Sequence, residues 1–214
     1  MSILTPDLIE NYIYSLYRQE DGQLIRMREE AERLLVPVIT RDMERLLYTL
    51  CSLRRPETIL EIGTAIGYSA ICFAKAAPQA RIVTLENRER SVHKARANIR
   101  EAGLEERIRV IHGDAAETLA EVEGAFDLIF IDAAKGQYRR FFELCEKNMA
   151  PGTLVVSDNV LYKGMPCDDS FIPERRHKTI ARRMDSYLAF LTEDPRFETS
   201  LLAIGDGVAI SYCK

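Results

Sequence analysis

The stretch "LEIGTAIGYSA", residues 60–70, decides the fold. It reads as a buried strand running into a glycine turn and then a helix, the repeating unit of parallel α/β sheets. Working outward, "TILEIG", "RIVTLE", "RIRVIHG", "FDLIFID" and "TLVVSDN" read as strands. Helical stretches alternate with them, including "RERSVHKARANIREAG", where Gly103 is the C-terminal cap, and "QYRRFFELCEKNM", closed by Pro151-Gly152. Three helical patterns precede the first strand: one opening at Thr5-Pro6 and ending near Tyr17, one over "DGQLIRMREEAERLL", and one capped by Thr40. After it, a loop from about Val160 to Pro173 leads to the long helix "ERRHKTIARRMDSYLAFLTED". The segment "FETSLLAIGDGVAISYC" then reads as a hairpin turned at Gly-Asp-Gly. The expectation is a Rossmann-like, doubly wound α/β domain over residues 1–214. Its mostly parallel seven-stranded sheet ends in a C-terminal antiparallel hairpin and carries extra N-terminal helices.

Composition narrows the class of protein. The 214 residues are 47% hydrophobic, enough for one substantial core. A formal net charge of -4 argues against a protein that coats nucleic acid through overall positive charge, while leaving room for a local basic patch. Cys51, Cys72, Cys145, Cys167 and Cys213 are scattered, with no C-x-x-C pair and no zinc spacing, which fits a reducing compartment. The first residues show no basic-then-apolar leader and no apolar run reaches membrane-spanning length, so a cytoplasmic protein with no membrane partner is expected.

The glycine turn selects the cofactor. Counted from Gly63, a dinucleotide fingerprint would need glycines where Ala65 and Tyr68 stand, and no Gly-Lys-Ser/Thr follows Gly67. The loop therefore admits a cofactor but suits a pyrophosphate or triphosphate poorly, which disfavours a nicotinamide-dependent oxidoreductase. The second strand ends at Glu86, about twenty residues beyond the turn, where an acid accepts both hydroxyl protons of a ribose. The third ends "IHGDAA", which places Asp114 and the Ala115 backbone where they can bond an adenine edge. Ribose and adenine without phosphate suggest S-adenosylmethionine. With "LEIGTAIGYSA", "VTLEN" and "GDA" in this order, the chain resembles the class I S-adenosylmethionine-dependent methyltransferases.

The fourth and fifth strands end "FIDAAKGQY" and "SDNVLYKG". Adjacent parallel strands finish on one edge, so Asp132 and the Asp158-Asn159 pair should converge beside the cofactor crevice. Two carboxylates and an amide oxygen make a hard site that suits Mg²⁺ better than zinc. Here the resemblance narrows to the metal-dependent O-methyltransferases, the group of catechol and caffeoyl-CoA O-methyltransferases, from about Val36 onward. It implies that Asp132, Asp158 and Asn159 bind the metal, Mg²⁺ with Mn²⁺ left open as a substitute. It implies Lys135 as the candidate base beside Asp132, and Ile39, Gly63, Ser69, Glu86, Asp114, Ala115 and Asp132 as contacts to the cofactor. It also implies a homodimer.

The family motifs leave the acceptor open. The loop after the fifth strand leads into "PERRHKTIARRMD", where Arg175, Arg176, Lys178, Arg182 and Arg183 form a positive stripe on a helix, with His177 among them. Together with "VPVITRDMERLL" and "GDGVAIS", this pattern resembles the bacterial tRNA 5-hydroxyuridine methyltransferases. That resemblance implies the wobble uridine of a tRNA anticodon loop as substrate, with the arginines on flanking phosphates. The alternatives are a methyltransferase for catechols or related small phenols, with the basic helix merely solvated, and a non-catalytic RNA-binding module. Tyr68 and Tyr138 are further candidates to line the acceptor pocket, with packing an equally good account, and Tyr162 and Lys163 to touch substrate through the following loop. His93 and His112 lack a second ligand at metal spacing and are expected to be structural or solvent-facing. Ile9, Tyr12, Ile13, Leu16 and Tyr17 form an apolar stripe expected to pack on its own domain.

Overall fold

The computed structural model describes residues 6–17 and 21–214, so the expected cap Thr5 lies outside the described residues. Seven strands form one sheet: β1 Thr58–Ile62, β2 Arg81–Glu86, β3 Ile108–His112, β4 Leu128–Ile131, β5 Leu154–Asp158, β6 Phe197–Leu202 and β7 Val208–Cys213. Their order is β3-β2-β1-β4-β5-β7-β6. The first five are parallel, and β7 pairs antiparallel with both β5 and β6, as the sequence predicts. The chain winds outward from β1 to β3, then returns to place β4 on the other side of β1. That reversal opens a crevice beyond the carboxyl ends of β1 and β4.

Helices cover both faces, so the central strands are apolar on both sides. The helices are α1 Asp7–Leu16, α2 Gly22–Leu34, α3 Arg41–Arg54, α4 Tyr68–Ala76, α5 Glu89–Glu101, α6 Ala115–Thr118, α7 Tyr138–Cys145 and α8 Arg175–Glu193. Ile59, Phe130 and Val156 face one core with Leu47 and Phe73, whereas Leu60, Ile129 and Val155 face the other with Phe142 and Tyr187. The caps follow the sequence: the Asp21 carboxylate accepts from Gln23 and Leu24 N–H, and Thr40 Oγ1 accepts from Met43 N–H. Two details differ from expectation. The helix before Pro151 gives way after Cys145 to a 3₁₀ turn, Glu146–Asn148, and the short α6 is an added element capped by Asp114. Among the described residues no helix is long and apolar enough to cross a membrane.

The stripe on α1 is divided rather than packed. Tyr14 bonds Asp42 at 3.3 Å, and Arg41 and Arg45 lie over the Tyr14 and Tyr17 rings, so α1 rests on α3 through the side that carries Ile13 and Tyr17. Ile9, Tyr12 and Leu16 are left exposed. This corrects the expectation that the whole stripe packs internally.

A buried polar cluster joins the N-terminal helices to the sheet. Arg28 on α2 donates to Glu44 on α3 (2.9 Å), to the Tyr68 hydroxyl on α4 (2.8 Å) and to the Ile39 carbonyl (2.9 Å). Tyr68 in turn donates to Glu44 at 2.6 Å. Removing one partner of such a pair strands the other charge away from water. Arg28→Met should lower folding stability by about 3–5 kcal/mol in urea titrations. The double variant R28M/E44L should recover much of that loss.

Candidate active site

The crevice is a cleft of about 490 Å³ at the carboxyl ends of the parallel strands. Ile39, Gly63, Ser69, Glu86, Asp114, Ala115, Asp132, Lys135, Asp158 and Asn159 all line it. The sequence-predicted cofactor and metal residues are thus brought to one place by the strand order.

The loop after β1 takes its shape from three left-handed residues, Gly63 (φ 106°), Ala65 (φ 46°) and Gly67 (φ 84°). A Cβ on Gly63 would lie 2.0 Å from the Asp132 carbonyl oxygen, so only glycine lets the ends of β1 and β4 meet. Ala65 stands where a dinucleotide loop has its second glycine, yet it adopts the same hand, with its N–H held by Glu86 Oε2 at 2.8 Å. Glu86 Oε1 accepts from Arg88 N–H at 2.9 Å. Both carboxylate oxygens are therefore fixed by backbone donors, and each keeps a further lone pair facing the cleft. Asp114 caps α6 through Ala116 N–H at 2.8 Å, which presents Ala115 at the rim. The Ser69 hydroxyl, at the cleft wall, donates to Glu61 Oε1, while Thr84 donates to the other oxygen of Glu61. Burial pushes the Glu61 carboxyl up to about 7, opposed by those two hydroxyl donors. Sequence reading missed Glu61 because a lone acid inside an apolar strand gives no sign of which neighbours satisfy it.

At the tips of β4 and β5, Lys135 Nζ donates to Asp132 Oδ1 (2.9 Å), Asn159 Oδ1 (2.7 Å) and the Tyr138 hydroxyl (3.0 Å). Two oxygens from neighbouring strand ends already converge on one cation. Behind them, Asp158 is 2% exposed. Its Oδ1 accepts from the Asn159 N–H (2.7 Å) and Nδ2 (3.0 Å). Burial, then the facing Asp132 carboxylate, push the Asp158 carboxyl up to about 8 despite Lys135. A site short of positive charge, built from hard oxygen donors, fits a divalent ion. Among the described residues no group of three or more His, Cys, Asp or Glu side chains lies together to hold a metal. Such an ion would need the Asn159 amide as third protein donor. Asn159 stands at φ 56°, a left-handed position that asparagine tolerates better than most residues.

Tyr138 takes the packing alternative. It is 1% exposed, and its hydroxyl donates to the Asp158 carbonyl at 2.9 Å, so it supports Lys135 and β5 rather than facing an acceptor. Tyr68 is held by Arg28 and Glu44 where it also lines the cofactor cleft. Lys163 is exposed and lines a second cleft of about 730 Å³, which shares Asn159 and the 36–40 segment with the first. The backbone there is tightly held: Tyr162 and Lys163 both have positive φ, and Lys163 N–H donates to Asp206 Oδ1. Asp206, read from sequence only as part of a hairpin turn, thus anchors the loop that follows β5.

On α8, Arg176 pairs with Glu174 (2.9 Å) and Lys178 with Asp169 (2.6 Å), so acids just outside the stripe neutralise part of it. Arg175 and Arg182 are exposed and make no ion pair among the described residues, and Arg183 Nη1 lies 3.4 Å from the Gly136 carbonyl. His177 meets the Tyr162 hydroxyl at 2.8 Å. His93 sits 3.7 Å from Glu89 and His112 3.3 Å from the Asn87 carbonyl, both on exposed surface.

A family model described as O-methyltransferase matches residues 16–214. The catechol O-methyltransferase of Niastella koreensis is 35% identical over 169 residues, 76% of each chain. The caffeoyl-CoA O-methyltransferase of Populus kitakamiensis is 31% identical over 227 aligned positions, covering 97% of this chain and 94% of the relative. Among solved structures, the S-adenosylhomocysteine-bound methyltransferase PaMTH1 of Podospora anserina superposes with a TM-score of 0.88 at 27% identity, covering 97% of this chain and 94% of that one.

The Glu61 environment predicts a pH dependence. Its carboxyl titrates near 7 when folded, against 4.5 ordinarily, so between those values the unfolded chain ionises it while the folded chain keeps the proton. Stability from this group is present below about pH 4.5 and is lost as pH rises towards 7, by about 3 kcal/mol in all. Glu61→Gln lacks this titration. Urea unfolding at about pH 5 and about pH 8 should therefore show the variant gaining on the wild type by about 3 kcal/mol across that interval.

Proposed function

This chain belongs to the O-methyltransferase family, and from that premise we propose that it acts in the cytoplasm on tRNA. In this reading it methylates the 5-hydroxyl of 5-hydroxyuridine at the wobble position to give 5-methoxyuridine. The coarser activity is that of the family, transfer of a methyl group from S-adenosylmethionine to an oxygen. The observation that carries the finer reading is the positive rim beside Lys135, where Arg182 and Arg183 border the reacting centre of a chain whose net charge is -4. A uracil carrying a 5-hydroxyl beside its C4 carbonyl offers two adjacent oxygens, as a catechol does, and an anticodon loop presents an unstacked base.

When bound, S-adenosylmethionine supplies a methyl group on positively charged sulfur, and Mg²⁺, or Mn²⁺ in its place, supplies Lewis acidity that favours an ionised hydroxyl. The residues that would hold the ion are Asp132, Asp158 and Asn159. Glu86 takes the ribose hydroxyls, Asp114 and Ala115 the adenine edge, and Ile39 closes the cleft from the N-terminal side. Lys135 would accept the hydroxyl proton as the neutral amine, after giving its own proton to solvent once the Asp132 and Asn159 oxygens are taken over by a divalent ion. Tyr138 positions the lysine through the bond between their polar atoms. Lys163 and Arg41 border the cleft on the acceptor side. The exposed Leu8, Ile9, Tyr12 and Leu16 of α1 support pairing of two copies.

A small phenol is the second reading, favoured by the catechol and caffeoyl-CoA names of the relatives and by the acids that pair with Arg176 and Lys178. Labelled S-adenosylmethionine and Mg²⁺ should put label into tRNA from cells lacking the modification; label in catechol alone would overturn the tRNA reading. Chelation of divalent ions should stop the reaction, and Lys135→Met should lower kcat by about 10²- to 10⁴-fold while leaving cofactor affinity within a few-fold. Full-speed turnover after exhaustive chelation would remove the metal from the scheme.

A further inference from the structure

Between the start of α7 and the middle of α8 runs a groove of about 460 Å³ that the sequence stripe did not anticipate. Its positive charges come from two elements far apart in the chain: Arg139 and Arg140 from α7, Arg182 and Arg183 from α8. All four are exposed. The one carboxylate in the lining is Glu143, and it is paired with Arg139 at 2.9 Å. Arg140 and Arg182 make no ion pair among the described residues, and Arg183 reaches only the Gly136 carbonyl. Like charges held together without counter-charges repel, so this grouping disfavours the bare protein and favours a polyanion.

Three further features fit a phosphate chain. Thr179 and Ser186 add hydroxyl donors to the lining. Arg139 stacks 4.6 Å over the Phe190 ring, which holds its guanidinium in place. Lys135 lines both this groove and the cofactor cleft, so the groove leads directly to the reacting centre.

We propose that the α7–α8 groove binds the sugar-phosphate backbone of an RNA strand, with Arg140 and Arg182 as its principal phosphate contacts. The assignment rests on the reading of this chain as an RNA methyltransferase and supplies what the α8 stripe lacks, since Arg176 and Lys178 are already paired with acids of their own. The strand enters past α8, and its phosphates fix the nucleotide whose base reaches the Lys135 end of the cleft.

The test is binding of a fluorescent anticodon stem-loop RNA by anisotropy over about 50 to 200 mM salt. The full chain is compared with R140Q/R182Q and with R81Q/R109Q, which removes the same charge at the opposite end of the sheet. Each single-strand phosphate contact contributes about 0.7 to the slope of log K against log salt. The groove variant should bind about tenfold more weakly and lose about 1.4 from that slope. The control pair should match the wild type within about twofold, and thermal melting with S-adenosylhomocysteine affinity reports that each variant is folded. Equal binding by the groove variant and the control would overturn the assignment. So would displacement of the RNA by poly-glutamate at equal charge, which would make the groove a general anion surface. Methylation is read separately: if wild type binds RNA through the groove but labels only catechol, the tRNA reading fails and the groove stands. If the RNA is methylated equally by all three proteins, the groove fails and the tRNA reading stands.

Discussion

The absence of a side chain at Gly63 is the constraint on which the rest depends. With the Asp132 carbonyl 2.0 Å from where a Cβ would stand, β1 and β4 close against each other at their carboxyl ends, and the Asp132 N–H completes the join by donating to the Ile62 carbonyl at 2.9 Å. The glycine loop after β1 and the acid that ends β4 are therefore held together at one edge of the cleft. Glu86 on one flank and Asp158 on the other then follow from parallel pairing alone. The cleft is lined by Glu86, Asp114, Asp132 and Asp158 against Arg88 and Lys135, the lysine bonded to Asp132. Such an excess of negative charge in a half-buried space suits positively charged guests.

What the sequence disclosed was the part governed by local periodicity. Five apolar runs separated by helical patterns are visible because strands buried on both faces cannot hide their composition, and the residue that ends each run must sit at the crevice. Thus Gly63, Glu86, Asp114, Asp132 and Asp158 were legible as a set, and the Gly-Asp-Gly turn marked the reversal at the end of the sheet. The two missing glycines disfavoured a pyrophosphate loop, although Ala65 holds the left-handed shape anyway, fixed by a carboxylate twenty-one positions away.

What stayed hidden depends on partners distant in the chain. Ser69 lines the cleft as its place in the motif suggests, but that a buried glutamate eight positions earlier, on β1, bonds its hydroxyl could not be read from the motif. Tyr138 stood beside a metal motif and proved to be internal, with its ring edge-on to Tyr187 at 5.8 Å. The stripe on α8 seemed uniform until Glu174 and Asp169 were seen to pair with Arg176 and Lys178, and no periodicity could bring Arg139 and Arg140 to Arg182 and Arg183. Arg28, Glu44 and Tyr68 come from three different helices, so their cluster exists only once those helices have packed.

The insertion of β7 between β5 and β6 bears on how the protein is made. β5 ends in Asp158, and its outer edge finds its partner in residues 208–213. During translation that edge stays open until the segment carrying Val208, which pairs with Asp158, has left the ribosome, while β1 to β4 can assemble much earlier. The nascent chain would therefore complete the β1–β4 side of the cleft first and the β5 side last. An exposed apolar strand edge in the interval is a place where chaperones would be expected to act.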